Sequence, residues 1–261
     1  MSKPLENQVA IVTGGGTGIG RGICIDLANR GAKVIITGRR LSMLDETKTI
    51  IEQNGGWAQS VVLDVANKDN INEVIDQVYA EHGRIDIFVN NAGNLSEPAF
   101  VYNMKDEDWD AVLKTHLYGS FYCLKAVSKK MKEANYGRIL NISSVAAING
   151  FNGSVNYAAA KGGIEAMTKS LAKELGVHGI TVNAIQPGII ETPMATDFVA
   201  AMGETFIKDT PVRRLGQPQD VAVAAAFYCS PEAGFITGTI LKVDGGYMLQ
   251  SSMDQFVFSV C

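Results

Sequence analysis

From one end almost to the other, the chain alternates between short β-branched runs and longer stretches with helical spacing. QVAIVTGG, AKVIITGR, WAQSVVLDV, IDIFVNNAG, GRILNISS, GITVNAIQPG and GTILKVDGG are the strand candidates, with turn-favouring Gly, Asn or Asp toward their ends. Their continuous apolar character predicts parallel strands covered on both faces. Between them, GRGICIDLANRG closes on Gly31 and NINEVIDQVYAEHG closes on Gly83, with apolar residues three and four apart. Strand and helix repeated in this way predict βαβ units, and hence an α/β fold of Rossmann type: a doubly wound parallel sheet with helices on both faces. No Pro/Ser-rich linker, charge block or internal repeat divides the 261 residues, so residues 1–261 read as a single domain. The tail QSSMDQFVFSVC fits either packing on a neighbouring subunit or a loose end.

Composition narrows the function. A chain that is 46% hydrophobic with a net charge of −4 has a sizeable core and no global reason to hold nucleic acid. Its apolar N-terminal run stops at Val12, too short for a signal peptide or a membrane span. Cys24, Cys123, Cys229 and Cys261 are far apart and form no metal-like grouping with the three histidines. They read as reduced thiols in a reducing compartment, which makes a cytoplasmic protein the expectation.

The first strand candidate runs into Thr13-Gly14-Gly15-Gly16-Thr17-Gly18-Ile19-Gly20, and a helical stretch follows. The turn has neither a strict GxGxxG nor the Gly-Lys-Ser/Thr of a phosphate loop. Glycines at a strand-to-helix turn nevertheless let a pyrophosphate approach the positive end of the helix. Where the second strand ends, Arg39 and Arg40 stand in place of an acid. A guanidinium suits a ribose 2′-phosphate, so NADP(H) is expected in preference to NAD(H); a solvated helix start is the plainer alternative.

Tyr157 and Lys161 lie four apart in SVNYAAAKGG, on one face of a helix. A phenol titrates near ~10, and a neighbouring ammonium favours its ionised form. Such a pair can exchange a proton with a substrate oxygen while hydride moves at carbon. Ser144, at the end of GRILNISS, can hold the same oxygen; Ser143 is the weaker candidate.

With these residues assembled, the sequence resembles the short-chain dehydrogenase/reductase family along nearly its whole length. TGxxxGIG is Thr13 to Gly20, NNAG is Asn90 to Gly93, YxxxK is Tyr157 to Lys161, and the PG followed by Thr is Pro187, Gly188 and Thr192. The resemblance implies an NADP(H)-dependent oxidoreductase interconverting a ketone and a secondary alcohol. It implies that Gly14, Thr17, Gly18, Ile19 and Gly20 line the cofactor, that Asp64 beside Val65 meets the adenine, and that Asn91, Ala92 and Gly93 line a ribose. Tyr157 and Lys161 would adjoin the nicotinamide ribose, and Pro187, Gly188, Ile190 and Thr192 the nicotinamide. His116 stands where the family usually has an asparagine that supports a proton path, and it is the expected fourth member of the catalytic set. A homotetramer is implied as well.

For the substrate, a 3-oxoacyl thioester leads over hydroxysteroids and other bulky cyclic ketones and over sugar-derived ketones; a catalytically silent NADPH sensor is the remaining reading. Met194, Phe198, Met202 and Phe206 recur every four residues and predict an apolar lid over roughly 190–215, or else a packing stripe. Lys125, Lys129, Lys130 and Lys132 beside Arg138 form a local basic patch, read as a dock for an acidic acyl carrier or as a solvated helix end.

Overall fold

The strand-and-helix alternation folds as its periodicity predicts. In the computed structural model, which describes residues 3–249, the order is β1 (Val9–Thr13), α1 (Gly18–Asn29), β2 (Lys33–Gly38), α2 (Leu41–Gln53), β3 (Trp57–Val62), α3 (Lys68–His82) and β4 (Ile87–Asn90). The second half follows as α4 (Asp106–Leu113), α5 (Gly119–Ala134), β5 (Gly137–Ile142), α6 (Ala146–Asn149), α7 (Val155–Leu175), β6 (Ile180–Pro187), α8 (Thr196–Asp209), α9 (Pro218–Tyr228) and β7 (Ile240–Val243). The seven strands form one parallel sheet in the order β3-β2-β1-β4-β5-β6-β7. The tail after Leu249 lies outside the described residues, as does Cys261.

Helices cover both faces because the central strands are apolar on both. All five residues of β1 and all eight of β6 are buried. Ala10, Val12 and Ile36 pack into one apolar cluster with α1 and α9, while Ile11, Ile35 and Phe88 pack into the other with α3 and α5. Each such side chain removed from water stabilises the fold by about 1.5–3 kcal/mol. Coverage fails at the edges, where Trp57 and Val62 of β3 and Leu241 of β7 are exposed.

Helix ends follow local chemistry. Asn67 caps α3 by accepting from the amides of Asp69 and Asn70, and Gly83 closes it in the left-handed region at φ 73°. The stretch from Asp108 into α5 departs from the continuous helix the sequence suggests. A π-helical turn, Lys114–Tyr118, interrupts it and carries His116. Such turns insert a residue into the helical ladder and re-aim the side chain. Among the described residues no helix is long and apolar enough to cross a membrane.

Strand order reverses between β1 and β4, which pair with each other in parallel. Crevices in open parallel sheets form at such a point, outside the carboxyl ends of the strands. The Gly14–Gly20 turn and the Asn90–Gly93 segment both leave the sheet there.

Candidate active site

The glycine turn is held from two sides. Thr13 Oγ1 accepts from the amides of Asn91 and Ala92, at 3.0 Å each. The Asn91 side-chain amide donates to the Thr13 and Gly14 carbonyls at 2.9 and 3.2 Å. Gly14 has φ +68°, and a Cβ there would sit 2.9 Å from the Ala92 Cα, so only glycine fits. From the other side, Arg21 donates to the Gly16 carbonyl through Nε at 3.0 Å and Nη2 at 2.6 Å, and reaches Thr47 and Glu46 on α2. Sequence reading missed Arg21 and Thr47, because their partners lie on another helix and no short motif signals them.

At the start of α1, Thr17 makes no side-chain cap and the first turn holds no acid, which leaves its amides to an outside acceptor. Arg39 and Arg40 are exposed, and neither belongs to the ion pairs among the described residues. The turn thus offers free helix-terminal amides, and the end of β2 beside it carries two exposed guanidinium groups. Asp64 begins a turn, its amide donating to Asn70 Oδ1 at 2.9 Å and its Oδ1 accepting from Ala66 at 3.0 Å. Val65 and Ile190 are buried in the core, Ile190 against Gly216. Asn91 spends its side chain on the turn itself. Thr192 sits against Gly18, 3.1 Å from where a Cβ would be, and brings the segment after Pro187 and Gly188 over the glycine turn.

Ser144, Tyr157, Lys161 and His116 come together beyond the ends of β4 and β5. The Tyr157 hydroxyl lies near Ser144, close enough for the serine to favour the ionised phenol, and Ser144 Oγ accepts from the Ala146 amide at 3.1 Å. Lys161, one turn along α7, is buried and donates to the Ile142 carbonyl at 2.7 Å, its Nζ 5.5 Å from the Tyr157 ring centroid. The His116 ring stands edge-on to that of Tyr157, centroids 5.2 Å apart. His116 Nε2 lies 2.8 Å from the Asn94 carbonyl oxygen and 3.1 Å from its amide, so it serves one or the other according to tautomer. The ring lies against Gly93, where a Cβ would meet His116 Cε1 at 2.3 Å. Asn156 ties the start of α7 to the preceding loop by donating to Ser96 Oγ and the Asp108 carbonyl while accepting from the Tyr157 amide. Ser143 faces the other way, toward Glu165.

Burial sets the protonation of this cluster. It pushes the Tyr157 phenol up, with the Ser144 hydrogen bond opposing. It pulls Lys161 down to about 7, and burial together with the Lys161 charge takes His116 down to about 3. Desolvation is the largest influence on the phenol, so Tyr157 is a neutral phenol and His116 a neutral imidazole.

Above the cluster, the four-residue stripe splits. Phe206 is buried while Phe198, itself exposed, lies against it, in a chain of ring contacts from Phe151 to Phe198 (6.2 Å), Phe206 (5.2 Å) and Tyr247 (5.4 Å). Met194 and Met202 face outward, exposed. A cleft of about 410 Å³ runs beside Thr192, Pro193 and the first turns of α8. The basic patch does not form as read. Arg138 is buried, stacked on Tyr136 and donating to the Ser230 and Gly179 carbonyls. Lys130 pairs with Asp76 at 2.9 Å. Lys129 and Lys132 are exposed near the end of α5, which leads into the start of β5 and so lies toward the sheet edge opposite Ser144. His82 packs on Trp57 at the surface, away from the cluster.

Residues 14–248 match the family described as enoyl-(acyl carrier protein) reductase. The chain is 40% identical to a 3-oxoacyl-acyl-carrier-protein reductase of Thermotoga maritima, over 94% of this chain and 99% of the relative. An Escherichia coli enzyme of the same description matches at 40% over the same shares. The chain is a short-chain dehydrogenase/reductase. As such it is an oxidoreductase of ketone and alcohol groups. Among solved structures, levodione reductase superposes with a TM-score of 0.92 at 31% identity, covering 95% of this chain and all of that one. A candidate 2-deoxy-D-gluconate 3-dehydrogenase from Agrobacterium tumefaciens, solved with bound NADP, has a TM-score of 0.87 at 35% identity, covering 95% and 99%.

Proposed function

We propose that this short-chain reductase uses NADPH to reduce the ketone of a 3-oxoacyl thioester to the secondary alcohol. The observation that carries the chemistry is the grouping of Tyr157 and Ser144 with buried Lys161 behind them, which can focus a proton donor and a second hydrogen-bonding group on one substrate oxygen. When bound, the reduced nicotinamide supplies the hydride to the carbonyl carbon. Tyr157 gives its proton to the oxygen as charge develops there, and Ser144 steadies that oxygen. Lys161, fixed by the Ile142 carbonyl, keeps positive charge behind the phenol and would hold the nicotinamide ribose. His116 holds the Asn94 backbone and the edge of the Tyr157 ring, which makes it a positioning residue.

The amides of Thr17 to Ile19 would hold the pyrophosphate, Arg39 with Arg40 the 2′-phosphate, and Asp64 the adenine. Asn91 to Gly93 would border a ribose, and the segment from Pro187 to Thr192 the nicotinamide. The thioester reading draws on the names of the curated relatives and on the apolar wall of Phe151, Phe198 and Phe206, which suits an acyl chain. That same wall also suits a bulky cyclic ketone, the second reading, which accords with the likeness to levodione reductase. Trp109, Tyr118 and Phe121 expose apolar surface along α4, the π-helical turn and α5, which supports assembly into a homotetramer. Cys24, Cys123 and Cys229 are free and buried, as a reducing cytoplasm allows.

The test follows NADPH oxidation, with NADH in parallel, against an acetoacetyl thioester and a bulky cyclic ketone. Faster turnover of the thioester with NADPH supports the proposal. Turnover of the cyclic ketone alone transfers it to the second reading, and NADPH binding with no turnover of either points to a sensor.

A further inference from the structure

One buried ionisable side chain takes no part in the chemistry above. Glu165 lies on α7 one turn beyond Lys161, only 9% exposed. Its Oε1 accepts from the Ser143 hydroxyl at 2.7 Å and from the Gln186 side-chain amide at 2.7 Å. The Ser143 hydroxyl also lies 3.5 Å from the Lys161 carbonyl. Gln186 keeps a buried carbonyl oxygen without a partner, because the opposite orientation of its amide would set oxygen against the carboxylate.

Both donors stand next to residues of the site. Ser143 immediately precedes Ser144 at the end of β5, and Gln186 immediately precedes Pro187 and Gly188 at the end of β6. Helix α7 itself carries Tyr157 and Lys161. A helix that needed only to pack on the sheet would present an apolar side chain, as Ile164 does next door, and would avoid the desolvation of a carboxylate. A carboxylate gripping two strand ends fixes what apolar packing leaves free, namely the register of the helix along them.

We propose that Glu165 is a positioning residue for the reaction: through Ser143 and Gln186 it locks the ends of β5 and β6 to α7, and so sets Ser144 against Tyr157. This rests on the roles given above to Ser144, Tyr157 and Lys161. Small displacements at a reacting centre are costly, since about 1 Å of misplacement can lower a rate by ~100-fold.

The test compares kcat and the NADPH dissociation constant, with melting temperature alongside, for Glu165→Leu, Glu165→Gln, Ser143→Ala and Tyr157→Phe. Glu165→Leu is expected to lower kcat by ~10-fold or more while NADPH binding stays within about twofold, because only the alignment of the reacting groups is disturbed. Glu165→Gln retains an acceptor oxygen and should recover most of the rate. The double variant Glu165→Leu with Ser143→Ala should lose less than the product of the two single losses. A folded Glu165→Leu protein with unchanged kcat overturns the proposal, as does a glutamine variant no better than leucine, or a fully multiplicative double variant. Should Glu165→Leu fail to fold, Ser143→Ala decides: a kcat loss at unchanged NADPH affinity supports the proposal and normal kcat overturns it. Tyr157→Phe separates the two levels, because its retained turnover would remove the catalytic reading, whereas its loss beside an active Glu165→Leu removes only this one.

Discussion

The two ends of the crevice are built in opposite ways. Around Tyr157 every functional side chain is anchored by the protein itself: Ser144 by the Ala146 amide, Lys161 by the Ile142 carbonyl and His116 by Asn94. At the end of β2, Arg39 and Arg40 stand exposed on long side chains outside the ion pairs among the described residues. The contrast follows from what each end would do in the proposed reaction. Proton transfer depends on distance and angle, so its groups are preorganised before a ligand arrives. Recognition of a phosphate needs charge that a flexible arm can bring to it, and an unpaired arginine loses nothing to a competing partner.

The sharpest way to break the contrast is Tyr157→Phe. Removing one hydroxyl from the preorganised end should cut kcat by ~10²–10⁴-fold, the usual worth of a positioned acid. NADPH affinity, read by fluorescence titration, should stay within about twofold. Comparable losses in kcat and in NADPH binding would show that the two ends are not separable. At the open end, Arg39→Ala with Arg40→Ala should lower the preference for NADPH over NADH by ~10–100-fold, the loss expected if together they supply one charged hydrogen bond worth about 1.5–3 kcal/mol. Turnover at saturating NADH should be unchanged. Added salt should weaken NADPH binding more in the wild type than in the double variant, since exposed charges are screened. Between the two ends lies Arg21. Arg21→Ala frees the Gly16 carbonyl and should raise KM for both cofactors by roughly threefold to tenfold, with kcat nearly unaffected, as expected when binding common to ground and transition states is lost. A selective loss of NADPH alone would make Arg21 a third phosphate ligand.

Sequence reading reached these two ends unequally. The fold was legible because parallel strands covered on both faces are predominantly apolar, as in Val9–Thr13, while the buried polar residues of the inner strands, such as Asn183 and Gln186 in Ile180–Pro187, are met by partners of their own. The cluster of Ser144, Tyr157, Lys161 and His116 was legible through its motifs, each fixed by local spacing. What stayed hidden has its cause in distant partners. Arg21 matters because it meets Gly16 and α2, Glu165 because it meets Ser143 and Gln186, and Arg138 left the basic patch because Ser230 and Tyr136 enclose it. The π-helical turn at His116 was invisible for the same reason, since apolar spacing of three and four continues on either side of it. Aromatic faces showed this as well, because a four-residue stripe could not reveal that Phe206 turns inward while Met202 faces water.

The preorganised end also leaves a trace in stability that the open end cannot. Burial lowers Lys161 from its usual 10.5 to about 7. The unfolded chain holds that proton up to the ordinary lysine range, so between pH 7 and about 10 it carries more protons than the folded chain. Stability contributed by this group therefore rises with pH across that window, and below pH 7 the full desolvation penalty is present. Other groups titrate over the same range, so the informative quantity is the difference in melting temperature between the wild type and Lys161→Met. That difference should move in favour of the wild type by roughly 2–4 °C for each kcal/mol regained as pH is raised from 7 to 9.5. Arg39→Ala with Arg40→Ala should show no such slope, because exposed guanidinium groups remain charged in both states. A flat difference curve for Lys161→Met would mean that the ammonium is already stabilised within the folded protein, and the preorganised end would then owe less to burial than to the partners that surround Lys161.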